Sequence, residues 1–278
     1  MRPDFTDIHS HIIPGVDDGS ESMEASLGLL DMAYEDGIRR IIATPHSGII
    51  NPMYNRELAE YRLAELRHRI ADRYPDMQLY MGNELFLAPG YPDGLEDGMS
   101  QTLAGSEYVL VEFPMDIDYE YVYQSCRRLM LQGYIPILAH VERYLHTYID
   151  IEDIETLVRQ GVRIQINSKT LAGSPTAAGA GIESTSVGNR SKRNNNSNNN
   201  SKGGIFASLL GSSTRMDKRQ RFAERLLKEG LVHHIATDMH DMPGREPRMK
   251  DAYEHIASIV GDSAAEQIFR NSEEIIGA

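Results

Sequence analysis

The chain has 278 residues, 41% of them hydrophobic, which suffices for one large domain or two small ones, and an α/β barrel commonly fills that length alone. Lys plus Arg number 28 and Asp plus Glu 41, so the net charge is −13, a balance that disfavours nucleic-acid coating or binding to anionic membranes and suits cation binding. The single cysteine, Cys126, rules out an intramolecular disulfide framework and a cysteine-rich zinc module. The opening MRPDFTDIHSH has neither the basic nor the apolar region of a signal peptide, and no run of about 18 apolar residues occurs. The expected location is the cytoplasm, without membrane insertion.

In chain order, apolar runs of strand length occur at Phe5–Ile8, Arg40–Ala43, Gln78–Met81, Tyr108–Val111, Ile135–Ala139, Val162–Ile166 and Val232–Ala236. Longer amphipathic stretches alternate with them. Ser22–Glu35 stops before Gly37, Asn55–Arg73 before Pro75, Tyr119–Gln132 at Gly133, Ile151–Gln160 at Gly161 and Lys218–Glu229 at Gly230. Two closing helices are predicted at Arg248–Val260 and Ser263–Phe269. This rhythm is that of βα units around a mainly parallel sheet. One segment, residues 173–204, is built of Gly, Ser, Ala and Asn with almost nothing to bury, and is expected to be a disordered insertion in an otherwise single domain spanning 1–278.

Polar residues fall in register with the strands. The first run leads into His9 and His11, the second into His46, the third into Glu84, the fourth into Glu112, the fifth into His140 and the seventh into Asp238 and His240. In an α/β barrel the C-terminal strand ends face one mouth, so these residues would converge. Residues two apart on a strand share a face, which makes His9/His11 and Asp238/His240 plausible ligand pairs. With Asp18 from VDDG, the set of five imidazoles and four carboxylates exceeds what one ion takes and suits two or three divalent ions, with zinc, manganese or iron fitting the donors. Taken singly, His46 or His140 is also an ordinary hydrogen-bonded loop residue, and Glu84 or Glu112 a cap or half of an ion pair. His68, His146, His233, His234 and His255 do not keep the register.

Three divalent ions would outweigh the four carboxylates, leaving a positive mouth suited to a phosphate dianion. Arg143, three residues after His140, and Arg245, five after His240, are placed to clamp it bidentately. A cysteine-nucleophile phosphatase needs an arginine six positions after the cysteine, where this chain has Gln132. The segment Asp116-Ile117-Asp118-Tyr119-Glu120 fails the D-x-D-x-[TV] pattern of aspartyl-phosphate enzymes, and neither a G-x-S-x-G elbow nor a P-loop is present.

With DIHSHIIPGVDDGS, ATPH, GNE, VEFP, ILAHVERY, QIN and IATDMHDMPGR in this order, the chain resembles the PHP (polymerase and histidinol phosphatase) superfamily. Within it, the chain is similar to the bacterial manganese-dependent tyrosine-protein phosphatases of capsule and exopolysaccharide clusters, the CpsB/YwqE type. The resemblance covers essentially the whole chain apart from the insertion. It implies a distorted (β/α)7 TIM-like barrel of the PHP type. It further implies that His9, His11, Glu84 and Asp238 hold one metal, Glu84, Glu112 and His140 a second, and Asp18, His46 and His240 a third, with Arg143 and Arg245 on the phosphoryl group. Mn2+ is the implied ion, and Zn2+, Fe2+ or Mg2+ fit the same donors. The implied substrate is a phosphotyrosine protein, the tail of a bacterial tyrosine kinase that controls polysaccharide export. A histidinol-phosphatase-like small phosphomonoesterase and a non-catalytic metal-stabilised binding module are the competing readings.

Overall fold

Strands form at all seven apolar runs, and all their pairings are parallel. The structure, a computed structural model, describes residues 4–146, 149–172, 218–241 and 244–277, so the insertion expected at 173–204 lies outside the described residues. The strands are β1 Phe5–Ser10, β2 Ile38–Ala43, β3 His46–Gly48, β4 Gln78–Met81, β5 Glu84–Phe86, β6 Tyr108–Glu112, β7 Ile135–Leu138, β8 Arg163–Asn167 and β9 His234–Ala236. The short strands β3 and β5 were not among the expected seven. They continue β2 and β4 past two interruptions, Thr44-Pro45 and Gly82-Asn83, where the Pro45 carbonyl accepts from Glu84 N at 3.3 Å and Asn83 Nδ2 at 2.9 Å. Proline has no N–H to give a ladder, so the sheet breaks there and resumes.

The order is β1-β2-β4 in one sheet and β3-β5-β6-β7-β8-β9 in the other. Beyond the strands, Asp238 N donates to His9 O at 2.8 Å and His11 N to Met239 O at 3.1 Å, tying the end of β1 to the segment after β9. The fold is thus α/β with parallel sheets.

Among the described residues, seven helices lie where the punctuation places them, and the short α5 was not expected: α1 Met23–Glu35, α2 Arg56–Ile70, α3 Tyr119–Leu131, α4 Ile151–Gln160, α5 Ser168–Ala172, α6 at 218–228, α7 Met249–Val260 and α8 Asp262–Glu274. The last is longer than the sequence suggested, because Ala265 and Phe269 bury one face while the rest is polar. Side-chain caps start the first four: Ser22 accepts from Ala25 N, Asn55 from Leu58 N and Asp118 from Glu120 N, while Asp150 and Asp153 form a reciprocal capping box. Helix α4 stops at Gly161, whose φ of 108° a side chain would oppose. Among the described residues no helix is long and apolar enough to cross a membrane.

Two apolar clusters hold the layers. The larger lies between strands and helices and includes Phe5, Leu30, Leu63, Val111, Leu129, Ile164 and Ile256. The smaller gathers Ile8, Ile42, Leu110, Ile137 and Ala236 from five strands, with Leu103 and Ile275 added. Burying one leucine or isoleucine contributes about 1.5–3 kcal/mol, so these clusters fix the strand order on which the polar residues ride.

His234, on β9, is buried, with Nδ1 3.3 Å from Ser272 Oγ of α8. Burial, with help from His233 and Arg163, pushes its imidazole down to about 3. The free side chain titrates near 6.5, so between those values the unfolded chain takes up a proton that the folded chain refuses. Stability is therefore full above pH 6.5 and lost as pH falls towards 3, with about 2 kcal/mol gone at pH 5 from this group. Urea unfolding of His234→Leu at pH 7.5 and pH 5 should show that difference shrink by about 2 kcal/mol; an unchanged difference would assign the acid sensitivity elsewhere.

Candidate metal centre

The nine expected ligands meet around one carboxylate. Glu84, the first residue of β5, is 1% exposed, and its Oε2 lies 3.1 Å from His9 Nε2, 3.3 Å from His11 Nε2 and 3.1 Å from His46 Nδ1. Its Oε1 lies 2.9 Å from His140 Nε2. Strand register explains the convergence: His46 stands opposite Glu84 in the β3–β5 pair, and Phe86 opposite Glu112 in the β5–β6 pair. Asp238 Oδ1 lies 3.5 Å from His9 Nε2 and 3.6 Å from His11 Nε2, and Glu112 Oε1 lies 3.4 Å from His140 Nε2. Asp18 Oδ1 is 3.5 Å from His46 Nε2 and 3.6 Å from His240 Nε2.

Within 4.8 Å of one another the donor atoms form four overlapping groups: His11, Asp18, His46 and His240; His9, His11 and Glu84; His9, His140 and Asp238; His46, Glu84 and Glu112. Every expected ligand belongs to at least one. The partition differs from the implied one in that His11 joins the Asp18 group, His46 groups with Glu84 and Glu112, and His140 groups with His9 and Asp238.

The donor set fits divalent cations by its chemistry and by its unmet needs. Among the described residues, the buried atoms Glu112 Oε2 and His240 Nε2 have no hydrogen-bond partner, and His46 Nδ1, although 3.1 Å from Glu84 Oε2, makes no well-aligned hydrogen bond. Leaving such groups unpaired costs about 1–3 kcal/mol each, which a cation ligated by imidazole and carboxylate would remove. The local electrostatics agree. Against burial, His9, His46, His11 and His140 hold Glu84 well below the usual carboxylate range. Burial and the Glu84 charge push Glu112 up to about 9, and burial and Arg143 push His140 down to about 4. Burial and the Glu84 charge thus favour the neutral form of Glu112, and positive charge in the pocket would favour the ionised one.

Residues outside the expected set orient these donors. Asp17 Oδ2 is 2.7 Å from His11 Nδ1 and accepts from His46 N at 3.0 Å, which turns His11 Nε2 towards Glu84. From β8, Gln165 Oε1 lies 3.3 Å from His9 Nδ1 and accepts from His140 N at 2.7 Å. Gln165 Nε2 donates to Asn167 Oδ1 at 2.9 Å, and Asn167 Nδ2 to Asp238 Oδ2 at 2.8 Å. Sequence reasoning missed all three, although Asp17 stands inside VDDG and the two amides inside QIN.

Arg143 follows His140 in a 3-10 turn, Val141–His146, and Arg245 lies beyond His240. Their guanidinium groups bracket one carboxylate: Arg143 Nη2 contacts Asp238 Oδ2, and Arg245 Nη2 is 2.6 Å from Asp238 Oδ1. Beside them opens a cavity of about 520 Å³. Among the described residues, three non-glycine residues have positive φ, and two are site residues, His140 at 33° and Asp238 at 52°; the third is Ala104. Such backbone costs about 1–3 kcal/mol per residue and persists where surrounding bonds impose it.

The other candidates fall elsewhere. Cys126 is buried in α3, and burial pushes its thiol up to about 12, so it is no nucleophile. His233 Nδ1 accepts from Ile164 N at 3.2 Å and His255 pairs with Glu224 at 2.9 Å, both structural. The side chain of His146 lies outside what is described.

The family profile for capsular polysaccharide synthesis proteins, CpsB/CapC, matches residues 5–185 and 206–277. The chain belongs to this family. Tyrosine-protein phosphatase CpsB of Streptococcus pneumoniae is 29% identical over 266 residues, 95% of this chain and 94% of the relative. Tyrosine-protein phosphatase YwqE of Bacillus subtilis is 28% identical over 272 residues, 97% of this chain and 91% of the relative. A crystal structure from a study of YwqE of Bacillus subtilis and CpsB of Streptococcus pneumoniae, described there as metal-dependent tyrosine phosphatases, superposes with a TM-score of 0.76 at 25% identity, covering 98% of this chain and 94% of that one.

The turn that carries Asp17 and Asp18 depends on one glycine. A Cβ on Gly19 would stand 2.2 Å from His11 O and 2.3 Å from His11 Cβ, a clash with backbone that nothing flexible can relieve. Gly19→Ala should cost about 1–3 kcal/mol of stability by thermal unfolding, because the turn or β1 must move. Wild-type stability in that variant would mean the turn is not seated against His11.

Proposed function

We propose that this protein is a metal-dependent phosphatase that hydrolyses phosphotyrosine in proteins. The observation that carries the reading is the convergence of five imidazoles and four carboxylates in overlapping groups that share Glu84, His9, His11 and His46, with two arginines at their edge, in a chain of the CpsB/CapC family. In this reading the strands close into a distorted (β/α)7 barrel of the PHP type. The backbone bonds between the end of β1 and the segment after β9, with the five-strand inner cluster, support closure. The chain is then one domain, interrupted by the insertion at 173–204.

His9, His11, Glu84 and Asp238 would hold one ion, Glu84, Glu112 and His140 a second, and Asp18, His46 and His240 a third. The donors are nitrogen and oxygen alone, and manganese is the ion we assign. When bound, divalent ions supply Lewis acidity towards phosphoryl oxygens and lower the pKa of water towards about 7. Asp17 and Gln165 keep the His11 and His9 rings oriented, and Asn167 steadies Asp238. Arg143 and Arg245 bind the phosphoryl oxygens and follow their charge into the transition state. A tyrosyl leaving group has a pKa near 10 and departs more readily than an alkyl alkoxide.

Relatives carry the name tyrosine-protein phosphatase and the family is one of capsule synthesis. The substrate we assign is accordingly the tyrosine-rich tail of a bacterial kinase that controls polysaccharide export, met in the cytoplasm.

Turnover of a phosphotyrosyl peptide by metal-stripped protein should be at least about a hundredfold below that of protein with manganese restored. Equal rates with and without chelator would end the metal reading. His140→Ala should lose bound metal by elemental analysis together with rate. Arg143→Ala should keep its metal and lose about a hundredfold in kcat; the reverse outcome would show that a ligand and a clamp have been exchanged.

A further inference from the structure

The cavity beside Asp238 is lined by cationic side chains besides the two clamp arginines. Besides Arg143 and Arg245 it is lined by Lys169, from α5, and Arg219, from the first turn of α6, against the carboxylates Glu142 and Asp238. Among the described residues, Glu142 Oε2 is buried without a hydrogen-bond partner. Asp238 is bracketed by the two clamp arginines, while Glu142 Oε1 accepts from Asn167 N at 3.1 Å and Thr170 Oγ1 at 2.9 Å. The Lys169 ammonium donates to the neutral Gly244 carbonyl and has two further donors. Burial lowers the Lys169 pKa, and Arg245, Arg143 and Arg248 push the same way against Glu246, so these cations lie within one another's field. An anion in this cavity would meet cationic side chains beyond the two clamp arginines. At about 520 Å³ the cavity is of the size that takes a drug-sized ligand.

We propose that Lys169 and Arg219 form a second anion subsite beside the phosphate clamp, so that the enzyme selects phosphotyrosine with another negatively charged side chain close by in the peptide. The inference rests on the phosphotyrosine reading and names its specificity determinants. A neighbouring Glu or Asp carboxylate and a second tyrosyl phosphate present the same anionic oxygens, and Arg219 suits either bidentately while Lys169 acts as a point charge.

The test uses the manganese-loaded full chain and three peptides of one sequence frame: a phosphotyrosine with neutral neighbours, the same with two adjacent glutamates, and the same with a second phosphotyrosine. Wild type should favour one or both anionic peptides over the neutral one in kcat/KM by roughly five- to tenfold, and which of them gains identifies the source of the anion. In Lys169→Gln and Arg219→Gln that ratio should fall to about twofold or less, and Lys169→Arg should restore it. Because the readout is a ratio within each variant, a general loss of activity does not mimic the result. Equal kcat/KM for all three peptides in wild type, or a ratio unchanged in both glutamine variants, would overturn the proposal. Kd values for hydrolysis-resistant phosphonate versions, read by fluorescence anisotropy, separate the two claims. A preference retained by protein without turnover would remove the phosphatase reading and keep the subsite, while turnover without preference would do the opposite.

Discussion

The Glu84 carboxylate is the constraint around which the rest is arranged. It is buried, and four imidazoles from β1 or the residue after it, β3 and the end of β7 stand within about hydrogen-bond distance of its two oxygens. A buried, unpaired carboxylate would take up a proton, so its ionised state depends on those rings, and the rings depend on strand register. The pairings His46↔Glu84 and Phe86↔Glu112 are backbone facts before they are chemical ones. Slipping β5 by one residue would turn Glu84 to the opposite face and put Leu85 against the histidines. The apolar clusters that fix the register therefore also fix the site, and the polar cluster is what the well-packed strands are positioned to hold.

Around that centre, neutral amides distribute the load. Gln165 and Asn167 are two residues apart on β8, so both side chains reach the same side, one towards His9 and His140, the other towards Asp238. His140 and Asp238 are also the two site residues with left-handed backbone. The amide chain joins them, since Gln165 accepts from His140 N and passes to Asn167, which donates to Asp238. Each hydrogen bond contributes about 1 kcal/mol, comparable with the strain of one such backbone, so the network can hold both residues in place.

Much of this was legible in the sequence, for identifiable reasons. Glycine-terminated helices and apolar runs located the helices and long strands to within a few residues, as at Gln78–Met81 and Ile151–Gln160. Strands β3 and β5 were hidden because three residues cannot display an alternation, and the breaks at Pro45 and Gly82 read as loop. His46 and Glu84 consequently lie on strands, where the sequence suggested positions just beyond strand ends. The sixth expected strand contributed no ionisable ligand, and the structure shows why: its positions are taken by Gln165 and Asn167, which orient ligands and carry no charge for a search of titratable residues to find. Asp17 and Asp18 are chemically identical neighbours, and distances alone separate the one that orients His11 from the one that faces His46 and His240.

The charge distribution sets two length scales for recognition. At a net −13 the molecule repels extended polyanions from a distance, yet screening at physiological salt confines each surface charge to about 8 Å. Inside the cavity the acidic exterior therefore counts for little, and the lining groups themselves, Arg143, Arg245, Lys169 and Arg219 with Glu142 and Asp238, set the local field. A long nucleic acid must approach over the acidic surface before any phosphate reaches that cavity, whereas a short exposed peptide brings one or two anionic groups directly to it. Discrimination between the two then needs no dedicated gate. It follows from placing a compact, cation-lined pocket in a negative protein, with the fall-off of the field doing the selecting.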